Sequence, residues 1–179
     1  MRLDFTPEEE AFRAEIAGWL AQHLSGPFEA VRHRGGPGDE DADPALRKAW
    51  ECELAAGRWT CVGWPREWGG RGLSIEQQLI FHEEYARAGA PGRLGHLGEG
   101  LVGPTLLALG TDAQRERFLP GIRAGTEYWC QGYSESGAGS DLANVQTRAT
   151  RDAASGDWIV HGQKRSEERR VGKECATLC

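Results

Sequence analysis

The hydrophobic pattern changes period at Gly125, and this change limits the fold more than any other feature of the chain. Up to Gly125, apolar residues recur every three to four positions inside capped segments; beyond it, apolar and polar residues alternate. A helical period does not fit a half-buried strand, nor the reverse. The pattern therefore predicts an α+β chain: an all-helical segment over 1–125, then the opening of a β domain over 126–164.

The helices have start and stop signals. Thr6-Pro7-Glu8-Glu9 is a capping box with proline at the first helical position. Phe12, Ile16, Trp19, Leu20 and Leu24 follow at helical spacing until Gly26-Pro27. Residues 26–43, rich in Gly, Pro, Asp and Arg, read as a solvated loop. Asp43-Pro44 starts a second helix with Leu46, Trp50 and Leu54 on one face, closed by Gly57. Ser74-Ile75-Glu76-Gln77 is a further capping box, whose helix is expected to be lined by Ile75, Leu79, His82 and Ala86. Glu83 and Glu84 beside Arg87 read as a solvated face. After a glycine-rich stretch over 89–100, Leu101–Leu109 reads as a short apolar helix. Thr111-Asp112-Ala113-Gln114 caps another, which Pro120 and Gly125 are expected to end. Tyr128–Tyr133 is strand-like. Val145–Thr150 and Trp158–Val160 flank the turn Ala154-Ser155-Gly156-Asp157, a hairpin signal. Three strands do not make an independent sheet with protected edges, so the β domain reads as cut short.

Charge and composition exclude several classes of function. A net charge of −6 over 179 residues argues against a nucleic-acid or anionic-membrane surface, which needs a basic face. No apolar run approaches the roughly 20 residues of a membrane span, and the N-terminus carries no apolar signal-peptide core. Five cysteines at irregular spacing fit reduced thiols, and so a cytoplasmic protein, better than a disulfide framework. The five histidines show no paired metal-ligand spacing, so no metal site is expected.

The chemistry falls on Ser134-Glu135-Ser136-Gly137-Ala138-Gly139-Ser140-Asp141, between the first strand and the hairpin. Glycines let a backbone take positive φ and approach a ligand closely, successive N–H groups in such a bend form an anion nest, and the serines add hydroxyl donors. A phosphate or the polar edge of a ring suits this cradle; a plain connection between strands is the competing reading. There is no Gly-Lys-Ser/Thr of a P-loop, and no Gly-x-Gly-x-x-Gly opening a βαβ helix.

Tyr128-Trp129-Cys130-Gln131-Gly132-Tyr133-Ser134-Glu135-Ser136-Gly137-Ala138-Gly139-Ser140-Asp141-Leu142 resembles the signature of the acyl-CoA dehydrogenase family. Gly63-Trp64-Pro65-Arg66-Glu67-Trp68-Gly69-Gly70-Arg71-Gly72 is similar to the loop before the family's third helix. Gly103-Pro104-Thr105-Leu106-Leu107, Gly110-Thr111, Gln114 and Arg117-Phe118-Leu119-Pro120 resemble its helix pair before the β domain, and His161-Gly162-Gln163-Lys164 the end of a later strand. The resemblance runs over residues 1–164. It implies a helical domain over 1–125 followed by the start, over 126–164, of a flavin-binding β-barrel middle domain, with the family's C-terminal helical bundle absent.

The activity implied is α,β-dehydrogenation of an acyl-CoA thioester with FAD as cofactor. Carried over by residue, backbone groups of Gln131 and Tyr133, with Gly132 between them, meet the pyrimidine edge of the flavin. Ser134 reaches its N5 side, and Gly139 and Ser140 cradle the pyrophosphate. Ser140 also touches the thioester. The catalytic glutamate of the family lies in the bundle, so no catalytic residue is assigned here and the chain as written is expected to be inactive. Ser136 stands where the family usually has proline, which costs some stiffness in the loop.

The resemblance further implies an electron-transfer flavoprotein or similar acceptor as partner, and a homo- or hetero-oligomer. It points to a bacterial branch acting on branched, aromatic or steroid-side-chain thioesters. The alternatives are a non-catalytic partner subunit of a heteromeric dehydrogenase, or an acyl-CoA oxidase or nitroalkane-type flavoenzyme. Residues 165–179 resemble the translation of a sequencing adapter and are expected to be a non-native tail.

Overall fold

Helix α1 (Pro7–His23) starts on its capping box. The Thr6 hydroxyl accepts the Glu9 N–H at 3.2 Å, and the Glu9 carboxylate accepts the Thr6 N–H at 2.7 Å. Such a cap is worth about 1 kcal/mol. Helix α2 (Pro44–Ala56) is capped by Asp43, which accepts the Leu46 N–H at 3.0 Å. The boxes at Ser74 and Thr111 start α3 (Ile75–Arg87) and α5 (Asp112–Arg123), and α4 (Gly103–Leu109) lies between them. This computed structural model describes residues 5–164. They form two compact units, one ending at Trp129 and the other starting at Cys130. The expected tail over 165–179 lies outside the described residues.

The main core of the first unit joins α1, α2 and α3 through Phe12, Ile16, Leu20, Leu24, Trp50, Leu54, Ile80 and Phe81, with Trp59 and Val62 from the intervening loop. Trp59 stacks on Phe81 with ring centroids 5.9 Å apart. The buried polar tips are satisfied in series: Trp50 Nε1 donates to the Tyr85 hydroxyl at 2.8 Å, and Tyr85 donates to the Pro91 carbonyl at 2.8 Å.

Several expectations are corrected. Helix α3 buries Ile80, Phe81, Glu84 and Tyr85, whereas Ile75 is 81% and Leu79 54% exposed. The aromatic pair is the larger apolar surface, with Phe81 against Trp59 and Tyr85 bonded to Trp50, so it sets the rotation of the helix. Glu84 is not solvated: it is buried and paired with Arg87 and, at 2.6 Å, with Arg13 of α1. The stretch 26–43 is only partly a solvated loop. Gly26–Val31 forms a 3₁₀ turn that buries Val31 and packs Phe28 on the core. Helix α5 runs through Pro120 to Arg123.

A second cluster gathers Cys61, Trp64, Leu119 and Ile122, with Leu106, Leu107 and Trp129 against it. A π-helical turn at Gly98–Val102 leads into α4, and Trp64 Nε1 donates to the Glu99 carbonyl there at 2.9 Å. Gly103 is required by this contact, since a Cβ would lie 1.8 Å from the Trp64 ring.

Two buried charged residues tie the glycine-rich stretch over 89–100 to α2. The Glu51 carboxylate accepts from Arg93 Nε (3.0 Å) and Nη2 (2.9 Å), and from the amides of Leu94 (2.7 Å) and Gly95 (3.3 Å). Arg93 also pairs with Glu99. Burial alone would lower the Arg93 guanidinium pKa, but Glu51 and Glu99 outweigh it and hold it well above its ordinary value. Arg47 completes the frame by donating to the carbonyls of Glu40 (2.6 Å), Gly92 (2.8 Å) and Gly35 (3.3 Å).

In the second unit, β1 (Arg148–Arg151) pairs antiparallel with β2 (Trp158–His161), with Arg148 opposite His161 and Arg151 opposite Trp158. The connecting turn is built on Asp152, whose carboxylate accepts from the Ala154 amide (2.9 Å) and the Ser155 hydroxyl (3.2 Å). Tyr128–Tyr133 is not a strand. A strand needs a ladder partner, and none pairs with this segment among the described residues.

Removing one member of a buried ion pair strands the other, at a cost of about 3–5 kcal/mol. Glu51→Ala leaves Arg93 with Glu99 but orphans the Leu94 and Gly95 amides, so it is expected to destabilise the helical unit by about 3 kcal/mol, the low end of that range, read from the midpoint of urea unfolding followed by tryptophan fluorescence.

Candidate functional site

The glycine–serine segment folds into a closed turn. Glu135 N–H donates to the Ala138 carbonyl at 2.7 Å, and Ala138 N–H returns to the Glu135 carbonyl at 3.2 Å. A 3₁₀ turn at Leu142–Asn144 follows, and Asn144 Nδ2 donates to the Gly137 carbonyl at 3.1 Å. Neither Gly137 nor Gly139 takes positive φ, contrary to the reason first given for them. Their contribution is the missing side chain. A Cβ at either position would meet nothing within 4 Å, so the outer face of the turn is bare backbone.

The Glu135 side chain, 10% exposed, anchors this turn. Its carboxylate accepts the amides of Gln146 (2.7 Å) and Thr147 (2.9 Å) and pairs with Lys164 Nζ at 2.9 Å. Lys164 also donates to the Tyr133 carbonyl at 3.0 Å. The neighbouring Thr147 side chain, then the Gln146 amide and Lys164, hold the Glu135 carboxyl down from its ordinary 4.5 to about 2. Thr147 Oγ1 itself is buried with no well-aligned partner among the described residues, so the two amides and the ammonium fix the geometry.

Of the residues expected at the site, Gln131 and Ser134 are half-buried, while Gly132, Tyr133, Gly139 and Ser140 are exposed. All six belong to the second unit and to one continuous segment. Among the described residues, the amides of Gly139 and Ser140 donate to no carbonyl or side chain. Bare glycine backbone with two exposed hydroxyls, Ser136 and Ser140, fits a pyrophosphate; Lys164 and the two amides compensate the Glu135 carboxylate, while Asp141, the segment's second carboxylate, is exposed to solvent. Glu135, Asn144 and Lys164 received no role from the sequence. Glu135 and Lys164 stood inside the Tyr128–Leu142 and His161–Lys164 motifs, and a carboxylate at the head of a Gly/Ser turn was the available signal. A cavity of about 430 Å³ lined by Phe12, Glu15, Arg58, Arg66, Arg71 and Gln77 belongs to the first unit and shares no residue with this segment.

The sequence profile of the acyl-CoA dehydrogenase N-terminal domain matches residues 6–126. The chain belongs to the acyl-CoA dehydrogenase family. It is 56% identical over 155 residues to the acyl-CoA dehydrogenase IpdE1 of Mycobacterium tuberculosis, an alignment covering 87% of this chain and 40% of that protein. Among solved structures it resembles the ChsE4–ChsE5 complex from Mycobacterium tuberculosis, with a TM-score of 0.73 and 39% identity over 92% of this chain and 39% of that one. It also resembles the Tcur3481–Tcur3483 steroid ACAD, with a TM-score of 0.75 and 33% identity over 92% and 40%. The chain thus spans about 40% of the length of curated acyl-CoA dehydrogenases that it matches. The family match bears out the helical domain, and the likeness to solved structures over 92% of the chain bears out the start of a small sheet after it.

A depressed carboxyl contributes stability above its unfolded value and loses it as pH falls through the folded value. The Glu135 anchor is therefore expected to be complete above about pH 4.5 and to fade as pH falls towards 2. The carboxyl chemical shift of Glu135, followed by NMR across that window, checks this.

Proposed function

We propose that this chain is the helical domain and the opening of the flavin domain of an FAD-dependent acyl-CoA dehydrogenase, which removes two hydrogens across Cα–Cβ of an acyl-CoA thioester. The observation that carries the reading is the closed turn at Glu135–Ala138, with its bare Gly137–Ser140 backbone, in a chain of this family. Gly139 and Ser140 would bind the pyrophosphate through their amides and the Ser140 hydroxyl, which needs no cation and suits an acidic chain. Backbone groups of Gln131, Gly132 and Tyr133 and the Ser134 hydroxyl would orient the ring, and Ser140 would also meet the thioester. The flavin, when bound, supplies the acceptor for the hydride leaving Cβ.

The α proton goes to a carboxylate that the resemblance places in the C-terminal helical region, outside residues 1–164. The carboxylates Glu51, Glu84, Glu99 and Glu135 are committed to ion pairs: Glu51 and Glu99 pair with Arg93, Glu84 with Arg13 and Arg87, and Glu135 with Lys164. The substrate class is a steroid-derived or similarly branched acyl thioester, supported by the likeness to a steroid dehydrogenase. A heteromeric assembly is favoured by the ChsE4–ChsE5 complex among the structural neighbours, and in it this chain would be either the catalytic or the non-catalytic subunit. The reading includes a cytoplasmic location and an electron-transfer flavoprotein as acceptor.

The test is an anaerobic titration of the full-length, FAD-loaded protein with steroid-derived and straight-chain acyl-CoA thioesters. Bleaching of the oxidised flavin by the former supports the dehydrogenase reading; bleaching by neither overturns it in favour of the non-catalytic subunit, and rapid reoxidation by oxygen marks an oxidase. Losing a hydrogen bond to a charged group costs about 1.5–3 kcal/mol, so Ser140→Ala is expected to weaken FAD binding about tenfold or more in a fluorescence titration. The 179 residues alone are expected to leave the flavin oxidised when acyl-CoA is added.

A further inference from the structure

The glycine turn does not hold its own shape. Its internal bonds are the two between Glu135 and Ala138, and Gly137 and Gly139 pay more backbone entropy on ordering than any other residue. Something outside the turn must keep its bare face open. The structure shows what does so: one carboxylate reaches from the turn's first residue to two consecutive amides at the foot of β1 and to the ammonium just after β2. The same ammonium bonds the Tyr133 carbonyl, on the other side of the turn.

We infer that Glu135 is the positioning residue of the loop, with Lys164 as its partner: the carboxylate ties the Ser136–Ser140 backbone to the hairpin so that the Gly139 and Ser140 amides are pre-ordered for a pyrophosphate. This rests on the flavin reading given above. Glu135 touches neither flavin nor substrate in this scheme and acts only through the backbone.

The geometry supports this role over a general stabilising one. Both carboxylate oxygens are used, Oε2 by Gln146 and Oε1 by Thr147 and Lys164, so the side chain is fixed in position and rotation. Charge-assisted bonds of this kind are shorter and about twice as strong as neutral ones. The side chain is nearly covered although Ser136, Gly137, Gly139 and Ser140 beside it are exposed, which is the pattern of a built anchor and not of a chance surface contact. Asn144 adds a second tie, from the 3₁₀ turn to the Gly137 carbonyl. Preorganisation raises affinity by removing the ordering cost of binding; here that cost belongs to a glycine-rich segment, for which it is largest.

The test compares Glu135→Gln, Lys164→Met and the conservative Lys164→Arg in the full-length protein, with two readouts. The first needs no flavin: amide hydrogen exchange at Glu135 and Ala138, the two bonded amides of the turn. It should quicken at least tenfold in Glu135→Gln and Lys164→Met, recover in Lys164→Arg, and leave the amides of α1 and α3 unchanged. The second is the FAD dissociation constant, which should rise about tenfold in the same two variants and return in Lys164→Arg, while the thermal midpoint of the helical unit stays fixed. Unchanged exchange in the turn overturns the inference whatever the flavin does. Quickened exchange with an unchanged FAD dissociation constant also overturns it, since the anchor would then be structural only. If the unaltered protein binds no FAD, the flavin reading fails, and the inference fails with it as a statement about binding; the exchange data would still show whether Glu135 orders the turn.

Discussion

The helical unit depends on how it accommodates a buried ion pair. Glu51 sits inside α2, and Arg93 reaches it from a stretch with no regular structure of its own. Two charges out of water are costly unless geometry and extra hydrogen bonds compensate. Here the compensation comes from the backbone: the amides of Leu94 and Gly95 fill the remaining lone pairs of the carboxylate. The segment that leads to the π turn and α4 is thereby held in one path without a helix or strand to hold it. Trp64, α4 and α5 can then form the second cluster against a fixed edge. Arg47 repeats the device on the other side, using a buried guanidinium to gather three carbonyls from two loops.

The second unit uses the same principle in smaller form. A single carboxylate collects amides and a lysine, and a glycine turn that could take many shapes takes one. In both units the ordering of the irregular segments comes from charged side chains satisfied by backbone; in the helical unit the regular elements bury the apolar area, whereas β1 and β2 are exposed along their length. This division matters for binding. Irregular backbone presents N–H groups that a helix or sheet would consume, and those groups are what an anionic ligand meets.

Local signals in the sequence were legible where the physics is local. Capping boxes at Thr6, Ser74 and Thr111 put three helix starts at the right residue, because the box is written within four positions. The hairpin was legible from its alternation and its turn residues, although Asp152, the residue that bonds that turn, was not. Rotation of α3 was misread because period alone leaves two faces to choose from, and the choice was made by Trp59 across the core. Glu84 was misread for the same reason: the arginine that buries it, Arg13, is 71 positions away. At the candidate site the segment was legible as a motif, but its anchor was not. Nothing in the spelling of Glu135 and Lys164, 29 residues apart, states that they meet.

The π turn at Gly98–Val102 has a consequence for how this fold tolerates change in length. Five residues there complete a turn that an α-helix closes in fewer, so the segment behaves like a single inserted residue inside an otherwise helical run. Everything downstream is re-phased by about 100° of rotation, the angular step of one helical residue. Leu106 and Leu107 pack against the cluster of Cys61, Trp64, Leu119 and Ile122 in that phase. A one-residue deletion that let the turn relax to ordinary helix would leave the composition of α4 intact and swing its packing face off the cluster. The length of this stretch is therefore under tighter constraint than the identity of its side chains.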